Sequence, residues 1–245
     1  MAAASEGASS SDSAPATLLL FDIDGTLVAG ATRAHSEALY AALREVHGVD
    51  PRAHAPGVVP AGRTDGEIAR LLLLAAGVDA RTIDERAGDV REVCCREYAQ
   101  RCPSDLAGTV LPGVPELLAW LAGREDVALA LVTGNYEPVA RLKLKRAGLG
   151  GWFAPGQGGF GSDSEDRAAL PAIARRRAGH GGVSHPRART VVIGDTPRDI
   201  ACARADGVRC LAVATGGYDA TQLARADAVA TDAAALQQTL TGMLG

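Results

Sequence analysis

The chain has 245 residues, 47% of them apolar and 22% charged, so it can bury a sizeable core as one large domain or two moderate ones. A net charge of −4 and an aromatic content of 4% give no ground for a nucleic-acid surface or a base-stacking platform, and no apolar run reaches the roughly 20 residues of a membrane span. The cysteines, Cys94, Cys95, Cys102, Cys202 and Cys210, are odd in number and lack C-x-x-C spacing, which argues against a disulfide framework or a zinc site and for reduced thiols in a cytoplasmic setting.

Residues 1–16 are mostly Ala, Ser and Gly, without Lys or Arg. They lack the basic start and apolar centre of a secretory signal and the arginines of a transit peptide, so a disordered tail is expected. Thr17-Leu18-Leu19-Leu20-Phe21 is a short apolar run that reads as a buried parallel strand ending at Asp22. Residues 30–108 then carry helix signals and no convincing strand. Leu39, Leu43 and Val46 recur at helical spacing before Gly48. Thr64 with Glu67, and Thr82 with Glu85, match capping-box spacing. Ile68, Leu71, Leu72 and Ala75 make one apolar face, and Val90, Cys94 and Tyr98 continue another helix. His35, His47 and His54 fall in this region without metal-ligand spacing.

After Pro112 and Gly113 a helix is predicted over Glu116 to Leu121, then an apolar strand from Val127 to Val132 that ends at Thr133. A helix from about Glu137 to Ala147 has Pro138 in its first turn and Gly148 at its end. A short strand near Phe160 and a helix from about Glu165 to Ala178 follow. Thr190 to Ile193 is a strand ending at Gly194-Asp195. A helix, a strand from Cys210 to Ala214, a Gly216-Gly217 turn, a helix, a short strand near Val229 and a last helix complete the chain.

This alternation predicts an α/β fold, a Rossmann-like doubly wound parallel sheet. Its core is expected over residues 17–29 and 109–245, with an inserted α-helical cap over residues 30–108. Ligands of such sheets sit at the carboxyl ends of the strands. Asp22, Thr133 and Asp195 each lie at such an end.

Three segments carry chemistry. Phe21-Asp22-Ile23-Asp24-Gly25-Thr26-Leu27 sets two carboxylates two positions apart where a strand stops, on one face if the backbone stays extended. Leu131-Val132-Thr133-Gly134-Asn135 ends a strand with a hydroxyl that can donate to a phosphate oxygen, backbone N–H groups assisting. Val192-Ile193-Gly194-Asp195-Thr196-Pro197-Arg198-Asp199 is acidic; it also reads as a capped helix start with Pro197 in the first turn.

The D-x-D-G-T run after an apolar strand resembles the haloacid dehalogenase-like hydrolases, and Thr133 and the G-D-x-x-x-D run match that family's second and acidic motifs. The resemblance spans about residues 17–240 and is nearest to phosphoglycolate-phosphatase-like enzymes with a helical cap. It implies a Mg2+-dependent phosphatase with Asp22 as nucleophile, Asp24 as general acid and base, and Thr133 binding phosphate. Magnesium would be held by Asp22, the Asp24 backbone carbonyl and Asp195, with Asp199 as a ligand or as the holder of a water or the basic residue. A common Lys-Pro form of the basic motif is absent; Arg167 is favoured for that place, with Lys143 its rival. Gly134, Asn135 and Arg63 are candidate substrate contacts, Arg63 for a carboxylate. A small phosphorylated metabolite is the expected partner, with no nucleic acid and no membrane, for a monomer or homodimer. A phosphomutase of the beta-phosphoglucomutase type, a 5'-nucleotidase and a non-catalytic binding protein are the alternatives.

Overall fold

Six parallel strands form one sheet: β1 (Thr17–Phe21), β2 (Val127–Thr133), β3 (Gly159–Phe160), β4 (Thr190–Gly194), β5 (Arg209–Val213) and β6 (Ala228–Ala230), in the order β3-β2-β1-β4-β5-β6. A computed structural model of the chain describes residues 16–54 and 57–245. The expected tail, apart from Ala16, and the side chain of His54 lie outside the described residues. β1 is central and fully buried, as its unbroken apolar run requires. Successive side chains point to opposite faces, so Leu19 and Phe21 join one hydrophobic cluster and Leu18 and Leu20 the other. The chain builds β2 and β3 on one side of β1 and then crosses to β4 on the other. This reversal is the switch point where doubly wound sheets bind ligands.

Helices α1 (Arg33–His47), α2 (Pro51–His54), α3 (Asp65–Ala75) and α4 (Ala80–Arg101) all lie between β1 and β2 in sequence. Ala38, Leu39, Ala42, Leu43 and Val46 of α1 share a hydrophobic cluster with Val90, Cys94 and Tyr98 of α4. Helices α5 (Val114–Ala122), α6 (Glu137–Arg146), α7 (Leu170–Arg177), α8 (Pro197–Asp206) and α9 (Ala233–Leu244) flank the sheet. No helix among the described residues is long and apolar enough to cross a membrane. All five cysteines are unpaired.

Four local expectations are corrected. Thr82 does not cap a helix: α4 begins at Ala80, and the Asp79 side chain accepts from the Thr82 N–H at 3.0 Å, a stronger cap placed three residues earlier. The buried face of α3 runs through Ala69, Leu72 and Leu73; Ile68 and Leu71 are half-buried and Ala75 is exposed. The helix expected from Glu165 starts at Leu170, because Asp166 caps a 3-10 turn over Arg167–Ala169 and Pro171 then fits the first turn of α7. The helix expected after Gly217 is a run of turns, in which the Asp219 carboxylate accepts from Gln222 N–H (2.9 Å) and the Thr221 hydroxyl (2.6 Å).

Candidate active site

Phe21 pairs with Leu131 of β2 on one side and Ile193 of β4 on the other. Asp22, Thr133 and Asp195, at the ends of these three neighbouring strands, therefore reach one edge of the sheet. Asp199 joins them from the first turn of α8, where it and Thr196 form a reciprocal capping box. One carboxylate oxygen from each of Asp22, Asp195 and Asp199 lies within 4.8 Å of the other two, and all three residues are buried.

Such crowding has an electrostatic consequence. Burial, then the neighbouring Asp22 and Asp199, pushes the Asp195 carboxyl up to about 8, with the Thr26 hydroxyl at 3.1 Å a partial offset. Asp22 is likewise pushed up by burial, to about 6; Arg167 opposes the rise, while Asp199 and Asp24 add to it. A buried oxygen-only cluster whose members resist ionising together fits a hard divalent cation. Asp199 has both oxygens engaged, one by Thr196 N–H (2.9 Å) and hydroxyl (2.7 Å), the other by Arg167. Asp22 and Asp195 are thus the freer donors.

The two rivals for the basic position both enter the site, on opposite sides. Arg167 is buried, bonded to Asp199 and 3.4 Å from Asp22 Oδ2. Lys143 is fully buried, and its Nζ lies 2.7 Å from both oxygens of Asp24 and 2.8 Å from Asn135 Oδ1. Burial alone would raise the Asp24 carboxyl; Lys143 first, then His35 and the Asn135 amide, outweigh it and hold Asp24 below its ordinary value. Asn135 also donates to Thr133 Oγ1 at 3.0 Å, and its own N–H does so at 3.3 Å. With its acceptor side occupied, the Thr133 hydroxyl keeps its proton available for donation. Gly25 turns the chain between Asp24 and Thr26 at φ +88°, and a Cβ there would lie 2.2 Å from Asp195 Oδ2.

Helices α1 and α3 cover this edge. A cavity of about 650 Å3 lies between, bounded by Asp22, Asp24, Asn135, Arg167 and Asp195 below. Gly134 and Arg63 also border it, but neither is uncommitted. The Gly134 carbonyl accepts Asp65 N–H at 2.8 Å. Arg63 Nε donates to the Val59 carbonyl at 3.0 Å and its Nη1 pairs with Glu67, which ties the guanidinium to its own segment and to α3. Sequence reasoning did not foresee Thr26, whose hydroxyl holds Asp195 although it sits inside the first motif, nor the buried Asp65. Asp65 occupies the first position of a capped helix, and only its burial at 3% exposure marks it.

A family model described as haloacid dehalogenase-like hydrolase matches residues 19–204. The chain is 30% identical over 210 residues to a phosphoglycolate phosphatase from Pseudomonas fluorescens, an alignment covering 81% of this chain and 70% of that protein. Among solved structures it is similar to a hydrolase from Pseudomonas syringae, at 21% identity and a TM-score of 0.61, with 93% and 98% of the two chains covered. It is also similar to a beta-phosphoglucomutase from Clostridium difficile, at 14% identity and a TM-score of 0.65, with 94% and 99% covered. These two structural likenesses speak for the fold alone.

Proposed function

Since the chain belongs to the haloacid dehalogenase-like hydrolases and is a phosphatase among them, we propose that it hydrolyses a small phosphorylated metabolite through a phosphoryl-aspartate on Asp22, with magnesium as cofactor. One observation carries this: Asp22 sits buried at the floor of a covered cavity, with a cation, Arg167, at 3.4 Å and a second carboxylate, Asp24, two residues on. In the first half-reaction the Asp22 carboxylate attacks phosphorus and the ester oxygen leaves. Arg167 and the Thr133 hydroxyl offset the charge gathering on the phosphoryl oxygens, and Asp199 keeps Arg167 in place. Asp22, Asp195 and the Asp24 backbone carbonyl would hold magnesium, whose charge, when bound, relieves the repulsion between carboxylate and phosphate dianion. Asp24 gives a proton to the departing oxygen. Lys143 favours its ionised form, but an arriving dianion raises its proton affinity by like charge. In the second half Asp24 takes a proton from the water that hydrolyses the acyl phosphate. Catalysis of this acid–base kind contributes about 10²–10⁴-fold.

The similarity to a phosphoglycolate phosphatase makes phosphoglycolate the first substrate to try. The test is a phosphate-release screen across phosphorylated metabolites with and without magnesium. Release from at least one ester only with the metal is the expected result. Isomerised product without release would make the enzyme a phosphomutase, and no turnover of any ester would remove the phosphatase reading.

The carboxylate cluster gives a separate check. Asp195 has a folded value near 8, above its ordinary 3.8, so its contribution to stability is complete below pH 3.8 and is lost as pH rises through about 8. Magnesium binds the ionised form. Its thermal stabilisation should therefore be small at pH 6 and larger at pH 8, where saturation at 100 times Kd gives about 2.7 kcal/mol, or roughly 5–10 °C in Tm. A shift that is absent, or larger at pH 6, would place the metal elsewhere.

A further inference from the structure

The cap is seated on the core. Asp65 N–H donates to the Gly134 carbonyl (2.8 Å), Tyr136 N–H donates to Asp65 Oδ2 (2.7 Å), and the Thr64 hydroxyl donates to the Glu165 carbonyl (2.7 Å). Arg70 pairs with Glu165 at 2.6 Å. A Cβ on Gly134 would lie 2.0 Å from the Arg63 carbonyl oxygen, so the two backbones are already in contact. The cavity of about 650 Å3 is thus that of a closed cap. Phosphoglycolate, allowed the roughly 30 Å3 that a water takes in the liquid for each non-hydrogen atom, needs under about 300 Å3. Cavities of roughly 300–1,000 Å3 enclose ligands of several rings' worth of atoms.

The surplus space has a definite chemistry. Leu39, Tyr40, Val58, Ile68 and Leu72 wall it on the cap side. Ile68 is half-buried: it packs against the core cluster and also borders the cavity. Among these walls His35 offers a fixed polar atom. Its Nε2 lies 3.0 Å from Asp65 Oδ2, and an ionised carboxylate only accepts, so Nε2 carries the hydrogen. The ring also stands edge-on to Tyr98 at 5.6 Å between centroids. Nδ1 has no protein hydrogen-bond partner among the described residues, which leaves it to a ligand hydroxyl, a group that both donates and accepts. Arg63 and Arg52 are paired to Glu67 and Glu37, so neither guanidinium is unpaired for a carboxylate.

Resting on the phosphatase reading above, we propose that the enzyme's substrate class is the phosphate ester of a ring-sized, largely apolar alcohol bearing one further hydroxyl, with the ring on the Ile68–Leu72 wall and the hydroxyl on His35 Nδ1. His35 is a specificity residue and Asp65 the group that positions it.

The test compares kcat/KM of the magnesium-loaded enzyme for phosphoglycolate, benzyl phosphate bearing a ring hydroxymethyl group, and its ring-methyl analogue. The hydroxymethyl ester should exceed phosphoglycolate by at least about tenfold, from burial of the ring, and its methyl analogue by about fivefold or more. Ile68→Phe, which fills the cavity, should cut the ring-to-glycolate ratio at least about fivefold. His35→Leu should bring the hydroxymethyl-to-methyl ratio below about twofold. The proposal is overturned if phosphoglycolate equals or beats the ring ester, or if both variants keep the parent ratios. The comparison on the parent enzyme stands even if a variant fails to fold. Failure to hydrolyse any of the three, in an enzyme that also fails the metabolite screen, is the separate collapse of the phosphatase reading.

Discussion

Replacing Asp22 with Asn should lower single-turnover phosphate release by about 10⁴-fold or more, the scale on which enzymes lose a covalent nucleophile. The amide keeps the shape of the side chain and cannot form the acyl phosphate. Stability should move the other way. Burial places Asp22 at about 6 in the folded chain against 3.8 ordinarily. A carboxyl raised in this sense stabilises fully below pH 3.8 and loses that contribution as pH climbs through about 6. Without metal, the Asn variant should therefore melt no lower than the parent at pH 8, with a gain that shrinks towards pH 5. Near-parental single-turnover rates would end the assignment of Asp22 as nucleophile; a variant that is inactive and also unfolded would show instead that Asp22 supports the fold.

The second large effect belongs to Lys143. No part of it is exposed, and its ammonium serves three acceptors, two on Asp24 and one on Asn135. Lys143→Met keeps the apolar stem and volume while removing the charge. The strongest influence lowering the Asp24 carboxyl then disappears, leaving the burial that raises it. We expect kcat to fall about 10²–10³-fold, part of the general acid–base contribution, with the Asp24 limb of the pH–rate profile displaced to higher pH. Stability supplies a signed control. Asp24 is depressed in the folded chain, so its contribution is present above pH 3.8 and is lost as pH falls through its folded value. The variant should be less stable than the parent at neutral pH, and the gap should close in acid. An unmoved pH limb with a lost kcat would mean that Lys143 acts on the substrate phosphate rather than through Asp24.

Much of this site was legible because its parts are local. Asp22 follows an unbroken apolar strand, Asp24 is two residues on, and Asp195 repeats the strand-then-carboxylate arrangement. Periodicity locates a strand end, and parallel packing brings strand ends to one edge without further information. The partners of those carboxylates were less legible. Helical rise alone sets Lys143, about two turns into α6, away from the edge; it ignores how far a lysine stem reaches, and the Nζ arrives 2.7 Å from Asp24. Choosing between Arg167 and Lys143 assumed one basic position, whereas the tertiary structure gives each acid its own cation. The false capping box at Thr82 has a similar origin: Asp79 competes for the same N–H groups from a better position. His35 and Asp65, thirty residues apart in sequence, carry no motif at all; only helix packing makes them neighbours.

The Asp65 carboxylate takes one hydrogen bond from the cap, through His35, and one from the core, through Tyr136. His35 and Asp65 both sit on the covering helices, so drawing those helices off the sheet leaves their bond whole and breaks the one to Tyr136 N–H. A carboxylate buried in the seated form would then trade a peptide donor for water. The imidazole thus keeps its orientation in either position, and a ligand meets the same ring on arrival as after the helices settle.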